Sequence, residues 1–269
     1  MYDFIRTDEP TIASTSSTQM EIDGENIDKA LRGYRTLAVD GRETIGRNIN
    51  AHERENYTLN ANPAFDGAIL LGGNIPPRTI KVTYQVSLDR YDERAELYEV
   101  LNRRLHRPKV RLRFTDDPRF YYMATLQGMG DIPVALEHTG GLEFVAHDPY
   151  KYSIEPEVLT IKKSGTLKKR VLWPIAIEDM TITAEAATEK LIIKNESNGQ
   201  RIIIDHAIKP GDKIGISFKE YKILYNGLVD ITGAMDIRSN YEDMAIETGD
   251  VISTNIDATA EIRYRERRL

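Results

Sequence analysis

The sequence predicts a mainly β protein of two domains, the first with a single well-marked helix. Three observations carry that expectation. Stretches in which apolar and polar residues alternate recur along the 269 residues, which is the period-two pattern of strands with one buried face. One stretch carries instead an apolar stripe at helical spacing. Residue usage also shifts along the chain: residues 1–153 hold 15 Arg and 4 Lys, against 7 and 10 in residues 154–269, while 20 of the 30 isoleucines fall in the second part. Isoleucine suits a pleated, half-buried surface, and the arginine fork suits protein–protein contacts better than the hydrated lysine ammonium.

The first domain offers the clearest strand. From Arg78 to Leu88, residues Ile80, Val82, Tyr84, Val86 and Leu88 face one way, and Lys81, Thr83, Gln85 and Ser87 the other. Val110 to Phe114 and Leu142 to Ala146 repeat the alternation. Between them a helix is expected over Tyr91 to Leu105, with Leu97, Leu101 and Leu105 as its apolar stripe and Tyr91 and Tyr98 at its flanks. Asp89 is the expected N-cap, and Pro108 bars continuation. Ahead of the first strand, Asn60 to Pro77 reads as a long loop rich in Asn, Gly and Pro that nevertheless carries Phe65, Ile69, Leu70 and Leu71. Apolar residues in such a loop need cover, either from their own core or from a neighbouring subunit.

The stretch Asp148 to Glu157 contains two prolines and marks the boundary, giving domains 1–153 and 154–269. In the second domain, Lys190 to Lys194 and Arg201 to Asp205 form a hairpin through Asn198-Gly199, and Tyr221 to Ile231 another through Asn226-Gly227. Asn-Gly favours the type I′ turn, and several short strands with regular turn signals predict a β-sandwich.

Composition narrows the function. Neither part is basic: residues 1–153 carry 19 Lys+Arg against 23 Asp+Glu, and residues 154–269 carry 17 against 19, so no nucleic-acid footprint is expected. The absence of cysteine removes disulfides, thiolate metal sites and thiol nucleophiles. Met1 to Arg6 shows no secretion signal, and the apolar run Ala68 to Leu71 is far too short to span a bilayer, so a soluble protein made in a reducing cytoplasm is expected. The histidines (His52, His106, His138, His147 and His206) lack metal-ligand spacing. Asp116-Asp117 and Asp148 precede prolines and fit Asx-type turns better than an acid/base pair. No nucleophile elbow or phosphate loop is present. The expectation is no enzyme, no metal and no cofactor.

Residues 1–153 resemble the N-terminal domain of distal tail proteins from siphophages of Gram-positive bacteria and their prophages. The resemblance rests on Tyr34 to Arg42, on Phe65-Asp66-Gly67, on Pro77 to Val82, and on Leu112-Arg113-Phe114 with Asp116 and Pro118. It continues through Phe120 to Ala124 and Phe144 to Tyr150, and is carried by the order and spacing of these pieces. It implies a tail-tube-like β-sandwich with one helix followed by a galectin-like β-sandwich. It also implies a homo-hexameric ring at the distal end of the tail in the virion, with a loop reaching onto the next subunit. Its partners would be the tail tube protein, a tail-tip or tail-associated protein and a receptor-binding protein. Phe65, Ile69, Leu70, Leu71 and Arg78 are the expected subunit-contact residues. The alternative is a carbohydrate-binding module recognising host cell-wall sugar, with Trp173, Tyr221, Tyr225 or Tyr241 as stacking platforms. A glycosidase is disfavoured for want of a carboxylate pair.

Overall fold

The computed structural model describes residues 18–53 and 68–269, with backbone only at 51–53, 68 and 69. They form two compact units, 1–149 and 150–269. The division falls just ahead of the expected 153/154 junction. The strand Lys151–Ser153 explains this, because it pairs with the C-terminal strand Arg267–Arg268 and so belongs to the second unit.

In the first unit the elements run β1 (Met20–Ile22), β2 (Glu25–Asn26), α1 (Ile27–Ala30), β3 (Tyr34–Asp40), β4 (Asn48–Glu53), β5 (Ala68–Asn74) and β6 (Arg78–Ser87). They continue as α2 (Tyr91–Leu105), β7 (Val110–Phe114), β8 (Phe120–Met129) and β9 (Glu137–Ala146). The hydrogen-bonded path is β2-β1-β7-β8-β9-β6-β3, antiparallel throughout. Strand β8 is shared between two sheets: Tyr122 to Ala124 pair with β7, and Thr125 to Met129 pair with β9 across a register shift. The strand predicted over Arg78 to Leu88 is β6, with Ile80, Val82, Tyr84 and Val86 buried in alternation.

Helix α2 has the predicted bounds and buries Leu97, Leu101 and Leu105 in the core of this unit. Two details differ from expectation. The N-cap is Arg90, without a side-chain cap, and Asp89 instead faces Arg32 at 3.2 Å. Tyr91 is exposed, since it lies at the first turn, ahead of the leucine stripe.

The second unit comprises β10 (Lys151–Ser153), β11 (Glu157–Lys162), β12 (Ser164–Thr166), β13 (Ala176–Ala184), β14 (Leu191–Asn195) and β15 (Arg201–Ile204). It ends with β16 (Lys213–Ser217), β17 (Lys222–Tyr225), β18 (Val229–Asp230), β19 (Val251–Thr254), β20 (Ala258–Arg265) and β21 (Arg267–Arg268). Ten of these form one antiparallel path, β15-β14-β19-β12-β11-β20-β13-β16-β17-β18, wrapped over a single isoleucine-rich core. The inward positions alternate as a sandwich requires: Met180, Ile182 and Ala184 on β13 face Leu191 and Ile193 on β14 across that core. Both predicted hairpins are present. Asn226 and Gly227 adopt φ of 51° and 71°, the pair of positive values that a type I′ turn demands.

Candidate assembly surface

Strands β4 and β5 form a two-stranded sheet of their own, apart from the main sheet of the first unit. Seven residues of the segment expected to be loop, Ala68–Asn74, are therefore strand. Asn48 pairs with Asn74, Ile49 with Gly73 and Asn50 with Gly72; the register then slips, so that Ala51 pairs with Leu70. The slip leaves Leu71 as the bulged residue and changes the parity of β5. Leu70 therefore shares a face with Ile49, which it would not do in an unbroken ladder. Ile49, Leu70 and Leu71 are 69%, 70% and 61% exposed. Fully burying side chains of this kind is worth about 1.5–3 kcal/mol each, so an uncovered ribbon forgoes several kcal/mol that a partner surface would supply.

The base of the ribbon is fixed. Arg78, at the start of β6, is 1% exposed. Its Nε donates to the carbonyl of Pro149 at 3.0 Å, and one terminal nitrogen donates to the carbonyl of Gly41, just past β3, at 2.9 Å. The guanidinium also lies 5.8 Å from the centre of the Tyr122 ring. Next to Gly41, Arg42 grips Asp116 with two parallel hydrogen bonds of 2.8 and 2.6 Å and stacks 4.7 Å over Phe114. The hydrogen bonds from Arg42 hold the Asp116 carboxyl below the usual aspartate value. Chain departure after β3 and re-entry at β6 are thus clamped by two arginines, and the ribbon extends from that clamp.

Of the predicted contact residues, Leu70 and Leu71 lie together on this exposed ribbon, and the backbone of Ile69 pairs with His52 beside them. Phe65 lies outside the described residues. Arg78 requires correction: its side chain is buried and tied to carbonyls of its own unit, so it positions the ribbon and presents no guanidinium to a neighbour. Ile49 was missed. A single isoleucine between two asparagines gives no periodic signal, and only its pairing with β5 places it beside Leu70.

The residues weighed for chemistry are dispersed. Asp116 is engaged by Arg42. His138 is buried on β9, where its Nδ1 donates to the carbonyl of Ala135 at 3.0 Å, so its Nε2 accepts from the Tyr98 hydroxyl at 2.6 Å. Trp173 is half-buried and meets the ring of Tyr150 edge-on at 5.5 Å. Among the described residues, no group of three or more His, Cys, Asp or Glu could hold a metal ion.

Residues 173–267 match the family model of the siphovirus-type tail component, C-terminal domain. No curated protein matches in sequence. Among solved structures the chain is similar to Dit (gp 19.1) of phage SPP1, described as a paradigm of the hub adsorption apparatus in phages infecting Gram-positive bacteria. The TM-score is 0.74 at 16% identity, over 94% of this chain and 99% of that one. It is also similar to a chain of the phage P2 baseplate in its activated conformation with Ca, with a TM-score of 0.53 at 12% identity, over 93% of this chain and 98% of that one. At these identities the structural likeness shows a shared fold, mainly β in both units. The resemblance that rested on the first domain is joined by the sequence of the second.

Proposed function

Taking as premise a phage tail component with the fold of a siphophage distal tail protein, we propose that six copies of the chain close into a ring at the distal end of the tail. The ring joins the tail tube to the tip or baseplate and carries adhesion proteins. The observation that supports ring closure is the β4–β5 ribbon: Ile49, Leu70 and Leu71 are exposed together on a ribbon whose base is clamped by Arg42 and Arg78. A ring uses a head-to-tail interface, in which one projecting apolar element per subunit is covered by a different patch on the next. The reading includes no chemical step and no cofactor. The protein acts as an adaptor, made in the host cytoplasm and assembled into the virion.

The test replaces Ile49, Leu70 and Leu71 with serine in the full chain and follows mass by light scattering. The parent chain should run as an oligomer and the triple variant as smaller species, with the same β-rich circular dichroism. An oligomer of unchanged mass in the triple variant would remove the ribbon from the interface.

A further inference from the structure

The second unit carries an aromatic groove, separate from the β4–β5 ribbon of the first unit. Phe218 and Tyr241 stack at 4.9 Å with planes 11° apart, and Tyr221 lies tilted against Tyr241 at 6.0 Å. Tyr241 is buried and its hydroxyl donates to the carbonyl of Ser217, whereas Tyr221 is 61% exposed. Cavities of about 370 and 430 Å³ open on this cluster, and Tyr221, Tyr241, Glu242 and Asp243 line both. Tyr221 also adopts a φ of 54°, a left-handed conformation that bulky residues avoid. The ring is thus held out of the core at a backbone cost.

The far wall is fixed in place. The Asn240 amide donates to the carbonyl of Arg201 at 2.7 Å, Gln200 Nε2 donates to the carbonyl of Asp243 at 2.7 Å, and the Ala245 amide donates to Gln200 Oε1 at 2.8 Å. The carboxylates of Glu242 and Asp243 have no hydrogen-bond or ion-pair partner among the described residues and are exposed at the groove edge. Two cations near the groove are committed elsewhere. Arg238 holds Asp236 through bonds of 3.0 and 2.6 Å. Arg267 donates to the carbonyl of Pro174 and lies 4.5 Å over the Tyr150 ring.

We propose that the groove of Phe218, Tyr221 and Tyr241, edged by Glu242 and Asp243, receives an arginine or lysine side chain of a docking tail protein. Ring faces and unneutralised carboxylates both attract a cation. A saccharide needs several donors as well as acceptors, and Thr232, Ser239 and Asn240 of the groove already spend hydrogen-bonding capacity within the fold. The Thr232 hydroxyl donates to Asp230 and accepts from the Ile223 amide, and the Ser239 hydroxyl accepts from the Ile203 amide. The Asn240 side-chain carbonyl accepts from the Arg201 amide. The proposal rests on the docking half of the adaptor reading, and needs no particular ring size.

The test uses the full chain labelled with fluorotyrosine. It is titrated separately with an arginine-containing capped tripeptide, its neutral citrulline counterpart, and an N-acetylglucosamine oligomer. The arginine peptide should shift the Tyr221 and Tyr241 resonances, with an affinity that falls as salt rises, and citrulline should not. Tyr221→Asn suits the left-handed backbone and should fold at least as stably, yet bind at least about fivefold more weakly. Glu242→Gln with Asp243→Asn should abolish the salt dependence. An equal response to citrulline, a response to the saccharide alone, or no shift with any probe would overturn the proposal. Ring mass measured on the same sample separates the two readings. An oligomer that ignores arginine fails the groove alone, and a monomer that binds it fails the ring alone.

Discussion

Buried arginine is the informative residue of the first unit. Arg78 is enclosed by its own fold, yet its guanidinium donates only to two backbone carbonyls, those of Gly41 and Pro149, which leaves one buried terminal nitrogen without a hydrogen-bond partner, and it meets no carboxylate among the described residues. Removing it leaves those carbonyls unpaired, a loss of about 1–3 kcal/mol. Arg78→Ala should therefore lower the melting temperature. A variant of native melting temperature but reduced mass would return Arg78 to the subunit interface. Gly140 makes a second residue-scale case: a Cβ there would meet the Tyr84 ring at 2.3 Å. Gly140→Ala should cost about 1–3 kcal/mol by overpacking, read as a shift of the denaturation midpoint. Neither role was legible from the sequence, because each is set by partners distant along the chain.

At the scale of elements, legibility followed periodicity. Strand β6 and helix α2 could be read because burial on one face imposes a period of two or 3.6 on residue choice. The β4–β5 ribbon could not be read as strand. Its bulge breaks the alternation, so Ile69-Leu70-Leu71 runs as an apolar block among Asn and Gly, although that contrast did mark Leu70 and Leu71 as needing cover. The β16–β17 hairpin, by contrast, is stabilised by side chains at its open end, next to the Asn226-Gly227 turn into β18. Asp212 accepts from the Tyr225 hydroxyl at 2.6 Å, from the Asn226 side-chain amide at 3.0 Å and from the Lys209 backbone amide at 2.8 Å. These hydrogen bonds lower its pKa from 3.8 to about 2. The folded value lies below the unfolded one, so the contribution is complete above 3.8 and disappears as pH falls through about 2. The difference in melting temperature between the parent and Asp212→Asn should accordingly be largest near neutral pH and shrink with acidification over that window. A difference that grows on acidification would contradict the assignment.

For the whole molecule, the central claim is that assembly belongs to the first unit and display to the second. Each unit encloses its own hydrophobic core, so residues 150–269 expressed alone should be β-rich and monomeric, and an oligomer there would move the ring contact into the second unit. The shift from arginine to lysine and isoleucine along the chain and the Asp148 to Glu157 prolines gave the expected 153/154 junction, and the compact units divide at 149/150. The apolar ribbon belongs to the first unit and the aromatic, acid-edged groove to the second. The central claim is tested most directly by native mass spectrometry of the intact chain across a concentration series. The account predicts a dominant species of six times the chain mass, dissociating to monomer when Ile49, Leu70 and Leu71 are replaced by serine. A parent chain that remains monomeric at every concentration, or closes at another stoichiometry, would contradict it.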